Sequence, residues 1–447
     1  MEVTEDRAGA TSEQQDNVIN TVNSLDPYGP RWQLVPGNVA AGTVYAQVPT
    51  SGTGDLTFTR ASTATRTNSA GNIVSVASGV PRIHYRNADG SLSSTGRLLL
   101  EPQRTNSIRN STMVGAVAGS PGTLPTNWSV VNGGLTQTIV GVGTESGLQY
   151  IDIRFSGTAT STISQVGFEG VNNIAVVAAQ SWANSVYAKR ISGTYDQALL
   201  VWDEWTSGVT FNATKTQNIT LSTQLARYTQ VNTISTSSAF VRPILRFAIT
   251  NGATYDFTIR IAAPQMELGA YATTFIPTTT AAVTRVEDIA AKSGIASLIG
   301  ATEGTLFAEF NLSRLGINRT FINVQDSSYA ANSIRIESNT LNQWRVRIQA
   351  ASVLILLETV TSPTFTTGNF KIALAYSTAT NGMAFYVNGV PLYQGTVTTL
   401  PSVCDRIILG NRLISGTYDL TLADAVNQAA LFPTRLTNAQ LAQLTTL

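Results

Sequence analysis

The chain has 447 residues, of which 43% are hydrophobic and only 12% are charged. This length exceeds what one hydrophobic core usually serves, so two to four domains are expected. The formal net charge of +1 and the lack of any apolar run near the roughly 20 residues that span a bilayer argue against nucleic-acid binding and membrane insertion.

The first 40 residues are predicted to form an attachment segment. The sequence begins MEVTEDRAGATSEQQDN, which is acidic and polar, so no secretory signal is expected. Val18, Val22 and Leu25 follow at helical spacing, and Pro27 ends the pattern, which predicts a short helix. A helix of this length is marginal alone, so we expect it to dock on a partner or bundle with copies of itself; a frayed terminus is the alternative.

Arg60 and Arg66 lie six positions apart in FTRASTATRTNSAG, among small side chains. In an extended strand they share a face but stand about 20 Å apart at roughly 3.3 Å per residue, which is too far for one small ligand. We therefore expect each guanidinium to hold the chain together by meeting a carboxylate or backbone carbonyls. Glu101 is the preferred partner for one of them.

The sequence offers few metal ligands. With one histidine, His84, and one cysteine, Cys404, a site built from nitrogen and sulfur ligands is not expected and neither is an internal disulfide. His84 is interpreted as a half-buried polar residue. Asp89 and Gly90 resemble a fragment of a calcium loop, but this pair more often forms a turn. No metal and no cofactor is predicted, although an oxygen-lined Ca²⁺ site stays open.

Strand patterns dominate from residue 40 onward. Apolar residues alternate with polar ones in IDIRF, DFTIRIA and VRPILRF, and later in TLFAEF, WRVRI and FKIAL. This period of two predicts strands with one face in a core and the other in water. The fold class is therefore predicted to be all-β, with several domains built as antiparallel β-sandwiches.

Trp202, Asp203, Glu204 and Trp205 form the segment VWDEW, which has the residues of a sugar-cleaving or sugar-binding site. In a strand, however, successive side chains point to opposite faces, so the two carboxylates cannot flank one bond. The same rule places one tryptophan in the core and the other at the surface. Trp202 and Trp205 are the candidate glycan-binding residues, with packing alone as the alternative.

No motif predicts catalysis. The sequence contains no G-x-S-x-G elbow, P-loop, HExxH or dinucleotide fingerprint, so no catalytic residue is proposed.

Near the C-terminus, Asn388 and Gly389 predict a tight hairpin turn. Thr437 and Gln440 have capping-box spacing and predict the start of a closing helix.

Breaks in the strand pattern divide the chain into four parts. They are the anchor, 1–40; a small β-rich module, 41–110; a jelly roll, 111–285; and a second sandwich with the closing helix, 286–447.

Much of the chain after residue 55 resembles appendage proteins of tailed-phage virions. The resemblance is carried by RASTATR from Arg60 to Arg66, by VPR at 80–82, and by GRLLLEPQRTN from Gly96 to Asn106. The segment IRIAAPQMELGAYATTFIPT is similar to the end of carbohydrate-binding-module-like jelly rolls in these proteins. The segments EGTLFAEF, FYVNGV and ALFPTRLTNAQLAQL are similar to concanavalin-like or laminin-G-like sandwiches. In this motif Arg60, Arg66, Glu101 and Arg104 are expected to be structural.

The resemblance implies a non-enzymatic head fibre or tail fibre that is assembled in the host cytoplasm and located on the virion. Its expected partners are capsid, portal or tail proteins at the N-terminus, host surface glycans at the sandwiches, and two further copies in a homotrimer. A glycan-binding protein of a bacterial surface or prophage system is the alternative. A polysaccharide depolymerase is a third reading, and it requires convergent carboxylates in a groove.

Overall fold

The computed structural model describes residues 29–326 and 331–447. The predicted helix around Val18 to Leu25 lies outside these residues. Thirty-four strands and one α-helix are named below in chain order. The first eight strands are β1 (Trp32–Leu34), β2 (Val39–Ala40), β3 (Thr43–Val44), β4 (Leu56–Thr59), β5 (Ala64–Thr67), β6 (Ile73–Val76), β7 (Arg82–Arg86) and β8 (Leu92–Leu100).

The next thirteen strands are β9 (Arg104–Asn106), β10 (Ser129–Val131), β11 (Thr136–Glu145), β12 (Leu148–Thr158), β13 (Ile163–Gly167), β14 (Ile174–Ala175), β15 (Ser181–Ser192), β16 (Gln197–Trp205), β17 (Phe211–Ile219), β18 (Ala226–Thr233), β19 (Phe240–Ala248), β20 (Thr254–Leu268) and β21 (Val283–Arg285).

The remaining elements are β22 (Ile289–Ser293), a 3₁₀ turn (Ala296–Leu298), β23 (Glu303–Leu312), β24 (Arg319–Gln325), β25 (Ser333–Ser338), β26 (Trp344–Ala350), β27 (Val353–Val360), β28 (Gly368–Ser377), β29 (Met383–Val387), β30 (Val390–Gly395), β31 (Arg406–Leu409), β32 (Arg412–Ile414), β33 (Thr417–Asp419), β34 (Asp424–Phe432) and α1 (Asn438–Thr445).

The chain divides into two compact units. The discontinuous unit comprises Met1–Gly71, Ser75–Pro102 and Val286–Leu447, as far as these are described, and the inserted unit comprises Asn72–Val74 and Gln103–Arg285. Both units are antiparallel sandwiches, which confirms the predicted all-β class. The alternating strand faces arise because every second side chain enters a core.

The discontinuous unit is built from two large sheets. One has the strand order β30-β29-β28-β23-β34-β8-β7, with β1 also paired to β34, and the other has the order β2-β3-β4-β22-β31-β24-β25-β26-β27. Apolar side chains from both sheets, such as Phe310, Trp344 and Leu409, form one core between them. Helix α1 packs Leu441 and Leu444 on the other face of the first sheet, against Phe307.

The strand pairing of this unit differs from the separation expected for 41–110 and 286–447. Strand β4 is hydrogen-bonded to β22, and β8 to β34, so both ranges contribute strands to the same two sheets. A strand's sequence pattern shows which face is buried but does not identify its neighbour, which can come from any part of the chain. The break in the strand pattern near residue 285 therefore marks the point where the chain returns to the discontinuous unit.

Two local predictions in this unit are confirmed. Asn388 and Gly389 both have positive φ, 50° and 82°, between β29 and β30. The side chain of Thr437 accepts a hydrogen bond from the backbone N–H of Gln440, and the Gln440 side chain accepts from the Thr437 N–H, which completes the capping box of α1. Each reflects a short-range geometric requirement that one or two residues satisfy.

The inserted unit has a six-stranded and a five-stranded sheet. The six-stranded sheet has the order β10-β13-β19-β16-β17, with β14 also on β19, and the five-stranded sheet has the order β11-β12-β20-β15-β18. Its core contains the apolar residues that the sequence placed inward, for example Ile153, Phe247 and Ile259, all fully buried. Strands β9 and β21, where the chain enters and leaves this unit, pair with each other.

Candidate functional site

The outward surface of the six-stranded sheet in the inserted unit is called the outer face below. In β16, Leu200, Trp202 and Glu204 point toward the interior, and Leu200 and Trp202 belong to the core. Asp203 and Trp205 therefore point outward. The register places side chains of β17 and β19 beside them. The part of the outer face around Asp203 and Trp205 is therefore built from three adjacent strands.

Three aromatic residues form a row across the outer face. Trp205 is aligned with Phe211 of β17 on one side and with Phe240 of β19 on the other. The Trp205 and Phe211 ring centroids are 5.7 Å apart with an interplanar angle of 83°. Phe211 is 53% exposed, and the indole Nε1 of Trp205 is buried without an acceptor in the described chain. The row offers an apolar surface and one unused donor.

A polar group lies next to this aromatic row. Asp203 accepts a hydrogen bond of 2.8 Å from the Thr214 hydroxyl and forms an ion pair of 3.2 Å with Arg246. Arg246 also donates from Nε to Gln165 at 2.7 Å. These contacts link four strands, β17, β16, β19 and β13, so the charged groups are held in fixed positions rather than free in solvent.

Arg242 lies flat across β13. Its Nη2 donates to the Ser129 hydroxyl at 2.9 Å, and its Nε is buried without an acceptor. A Cβ at Gly167 would lie 2.6 Å from Nη2, so the missing side chain at Gly167 provides the space for the guanidinium. Burial, together with the charge of Arg246, lowers the pKa of Arg242, although Asp203 acts in the opposite direction.

Trp202 and Glu204 belong to the interior. Trp202 is fully buried and donates from Nε1 to Glu204 at 3.0 Å. Glu204 also accepts from the Ser235 N–H and from the Ser238 hydroxyl. Burial alone raises the pKa of this carboxyl, but the hydrogen bonds from Ser238, Trp202 and Ser235 outweigh it and lower the pKa. Of the two tryptophans, Trp205 is the one placed to contact a ligand.

The motif arginines of the discontinuous unit lie in a buried ionic network. Arg60 donates from Nη1 to Asp288 at 3.0 Å, from Nε to Ser62 O and from Nη2 to Ala77 O. Arg82 donates to the other oxygen of Asp288 and, at 2.8 Å, to Glu101. Glu101, the expected partner of Arg60 or Arg66, is thus met by Arg82.

Arg66 and Arg104 make different contacts. Arg66 donates to the backbone carbonyl of Ile83 at 2.9 Å, so it meets a carbonyl rather than a carboxylate. Arg104 belongs to the inserted unit, where its guanidinium lies 4.9 Å from the ring centroid of Tyr271. The four motif residues are therefore not gathered around one ligand site.

His84 accepts a hydrogen bond at Nδ1 from the backbone N–H of Thr67. Burial and the neighbouring arginines lower its pKa to about 3, although Glu101 acts in the opposite direction. Neutral imidazole is thus the form that fits this position, and the nitrogen that could accept a proton is already engaged.

Asp89 and Gly90 form a turn. Asp89 accepts from the Ser91 N–H and hydroxyl, and Gly90 has a φ of 83°.

Across residues 29–326 and 331–447, no group of three or more His, Cys, Asp or Glu side chains is placed to hold a metal ion. No helix in the same ranges is long and apolar enough to cross a membrane.

Asp288 is the residue that sequence reasoning missed. It lies in VTRVED, which reads as a connecting segment, yet it is fully buried and forms ion pairs with two arginines from far upstream, Arg60 and Arg82. Arg242 and Arg246 were placed correctly on the polar side of their strand, but the alternation pattern carried no sign that Arg246 pairs with Asp203 or that Arg242 donates to Ser129. Pairings of this kind depend on which strands become neighbours.

Comparison with known proteins gave no family assignment. No family model matches the sequence, and no curated protein matches it.

Several solved structures are similar to part of the chain. The CBM40 of the Ruminococcus gnavus IT-sialidase has 10% identity, covers 34% of this chain and 86% of its own, and has a TM-score of 0.30. The NanB sialidase of Streptococcus pneumoniae has 12% identity, covers 34% of this chain and 26% of its own, and has a TM-score of 0.31. A SAP-like pentraxin of Limulus polyphemus has 12% identity, covers 32% of this chain and 69% of its own, and has a TM-score of 0.26. TM-scores this low carry no argument about the function of this chain.

Proposed function

We propose that the outer face binds carbohydrate and that the chain serves as a non-enzymatic adhesion fibre of a tailed-phage virion. The observation that carries the binding proposal is the row Phe211, Trp205 and Phe240 beside the fixed polar group around Asp203. Aromatic rings present flat apolar surfaces with a polar edge, which suits the alternating C–H and hydroxyl faces of a sugar. A site needs a few fixed polar groups to orient such a ligand, and Arg242 and Arg246 supply donors.

The position of the aromatic row favours binding over catalysis. Asp203 is engaged by Thr214 and Arg246, while Glu204 points into the core. A glycosidase needs two carboxylates that flank one bond, about 5 to 9.5 Å apart. On the outer face Asp203 has no such companion within β16, so adhesion is the simpler use of this surface.

The virion role rests on the motif resemblance between Arg60 and Asn106. In this proposal the N-terminal segment docks on capsid, portal or tail proteins, and three copies of the chain act together. Weak single contacts with a sugar then add up, because linked sites raise the effective concentration of each other. Low surface charge and many hydroxyl and amide side chains suit a glycan ligand, which is itself largely uncharged.

The binding proposal is tested on a glycan array with the full-length protein displayed at high density. Wild type should bind one group of glycans, and Trp205→Ala should lose roughly twofold to tenfold in apparent affinity, since stacking of this kind is worth about 0.5–1.5 kcal/mol. Tyr85→Ala, which removes a partly exposed aromatic ring from the other unit, is the matched control and should bind like wild type. An array that stays blank for wild type contradicts the proposal.

The virion proposal needs a separate experiment. Antibody against this chain should label phage particles in electron micrographs, and the position of the label distinguishes a head fibre from a tail fibre. Label confined to bacterial surfaces favours the alternative of a prophage-encoded surface adhesin. Sedimentation of the purified protein tests the homotrimer.

A further inference from the structure

The nine-stranded sheet of the discontinuous unit carries arginines on the face that points away from its core. Ile334, Ile336, Val346 and Ile348 point into the core. The intervening residues therefore point to the opposite face. An arginine cluster, comprising Arg335, Arg345 and Arg347 of β25 and β26 and Arg412 of β32, is gathered there.

Part of this face is covered by the hairpin β32–β33. The Gln325 side chain donates to the backbone carbonyl of Leu413 at 3.2 Å and accepts from the Leu413 N–H at 3.4 Å. Arg335 is 1% exposed, and Asn323 is fully buried. The side chains of Arg345 and Arg412 keep 26% and 20% exposure. Arg335 and Asn323 thus form the buried floor of the cluster, and Arg345 and Arg412 form its solvent-exposed open rim.

Acidic residues neutralise only part of this cluster. Arg412 pairs with Asp419 at 2.6 Å. Arg335 and Arg345 share one carboxylate, Glu337, at 2.9 and 3.7 Å. In the described chain Arg347 forms no ion pair and no hydrogen bond, so at least one positive charge is left over.

The arrangement is unfavourable without a ligand. Arg347 is aligned directly with Arg335 on the neighbouring strand, and like charges in that position destabilise a sheet. Burial lowers the pKa of Arg335; Glu337 acts against this, while Arg347 and Arg412 lower it further. A sequence that retains such a cost at one place commonly uses it for function.

Unused polar atoms lie at the same place. The Nε atoms of Arg345 and Arg347 and the Oδ1 atom of Asn323 are buried without a hydrogen-bond partner in the described chain. The Arg345 Nε has only its 3.7 Å ion pair with Glu337. Asn323 donates from Nδ2 to Gln325 Oε1 at 2.6 Å, and backbone groups of Leu413 fix the orientation of that amide. The Asn323 Oδ1 atom is therefore an acceptor, and it receives no hydrogen bond from the described residues. Asn323 is aligned with Arg335 on the same face.

We propose that this cluster binds an anionic sugar of an acidic polysaccharide. A carboxylate or sulfate group accepts hydrogen bonds from Arg347 and from Arg345 at the open rim, above the buried floor of Arg335 and Asn323. Leu354 and Leu357 on the adjacent edge strand, 47% and 40% exposed, provide apolar contact for the sugar ring. The site lies in a different unit from the outer face and does not depend on the function proposed for it.

The charge pattern favours a polysaccharide over nucleic acid. A protein that binds nucleic acid neutralises many phosphates in a row with lysine and arginine. Here the net charge of the chain is +1, and the four arginines form one compact cluster rather than a long basic run. A single anionic group with hydroxyl neighbours fits this pattern better than a continuous phosphate backbone does.

The test is calorimetric titration of the full-length protein with three probes. They are tri-galacturonate, which carries carboxylates, inorganic sulfate, and maltotriose as the uncharged control. Tri-galacturonate should bind, and maltotriose should produce no heat that depends on the arginine cluster. Sulfate binding in place of tri-galacturonate would assign the site to sulfated sugars. A short single-stranded DNA that competes better than either probe would overturn the assignment to polysaccharide.

The variant Arg347→Gln separates this proposal from a structural role. Because Arg347 has no ion-pair or hydrogen-bond partner within residues 29–326 and 331–447 and is aligned with Arg335, its removal should leave the melting temperature of the free protein unchanged or slightly higher. The same variant should lose about tenfold or more in affinity for the anionic probe, as expected for a charged hydrogen bond. Arg154→Gln, which removes an exposed arginine from the inserted unit, is the charge-matched control. Equal affinity of Arg347→Gln and wild type, or no binding of any anionic probe at millimolar concentration, overturns the proposal.

Discussion

Arg60 and Asp288 form a fully buried ion pair although 228 residues separate them in the sequence. The pair connects the strand-rich segment before residue 102 with the segment that follows residue 285. A buried charge that loses its partner pays for its desolvation without compensation, so such a pair is costly to break.

Arg60→Lys should lower the free energy of unfolding by about 1.5–3 kcal/mol, the value of lost hydrogen bonds from a charged group. Lysine keeps the charge but cannot donate at once to Asp288, Ser62 O and Ala77 O, as the guanidinium does. Arg66→Lys is the matched comparison, because Arg66 donates to a backbone carbonyl only, and its loss should stay below about 1.5 kcal/mol. Urea denaturation followed by fluorescence measures both, and equal losses for the two variants would contradict the role given to Asp288.

Truncation of Trp202 should cost much more stability than truncation of Trp205. Trp202→Ala removes a fully buried indole and leaves Glu204 without one donor, so the protein should lose about 3–5 kcal/mol of stability. Trp205→Ala removes a partly exposed ring whose Nε1 has no acceptor among the described residues, so the loss should be under about 1.5 kcal/mol. Thermal unfolding of both variants checks the order. A larger loss for Trp205 than for Trp202 would mean that the outer face is a packing surface.

Strand faces could be predicted from the sequence, whereas strand neighbours could not. The alternation in VRPILRF placed Val241 and Phe247 inward and Arg242 and Arg246 outward, as the structure has them. The turn at Asn388 and the cap at Thr437 were also predictable, because they depend on adjacent residues alone. The position of β4 beside β22, and hence the pair of Arg60 with Asp288, depends on long-range pairing that no local pattern encodes.

The stability of the protein should fall as the pH drops below 6.5 because of His84. The fold lowers the pKa of this imidazole from 6.5 to about 3, mainly through burial. The unfolded chain therefore takes up the proton first, so the contribution is complete above pH 6.5 and is lost progressively between pH 6.5 and 3. Each pH unit in this window costs up to about 1.4 kcal/mol.

The sequence contains one histidine, so a nuclear magnetic resonance titration of its imidazole is free of overlap. The signal of the folded protein should not move between pH 8 and pH 5. His84→Asn keeps an acceptor for the Thr67 N–H and should reduce the pH dependence of stability in this range. A midpoint near 6.5 in the folded protein is the result that would falsify the assignment of a neutral, half-buried imidazole.

Residues 103–285 should fold as an isolated fragment, whereas residues 286–447 should not. The inserted unit contains both of its sheets, its own core and the closing pair β9–β21. The C-terminal range alone lacks β4 beside β22 and β8 beside β34. It also leaves Asp288 buried without Arg60 and Arg82, and it removes Trp32, Phe58 and Leu98 from the shared core.

Circular dichroism and thermal unfolding of the two fragments distinguish these outcomes. The 103–285 fragment should give one cooperative transition, and the 286–447 fragment should give none until a second chain with residues 29–102 is added. Restoration by that second chain is expected because sheet pairing and ion pairing do not need a covalent link, only the correct neighbours. A cooperative transition of 286–447 alone would show that the strands before residue 102 are dispensable for the sandwich.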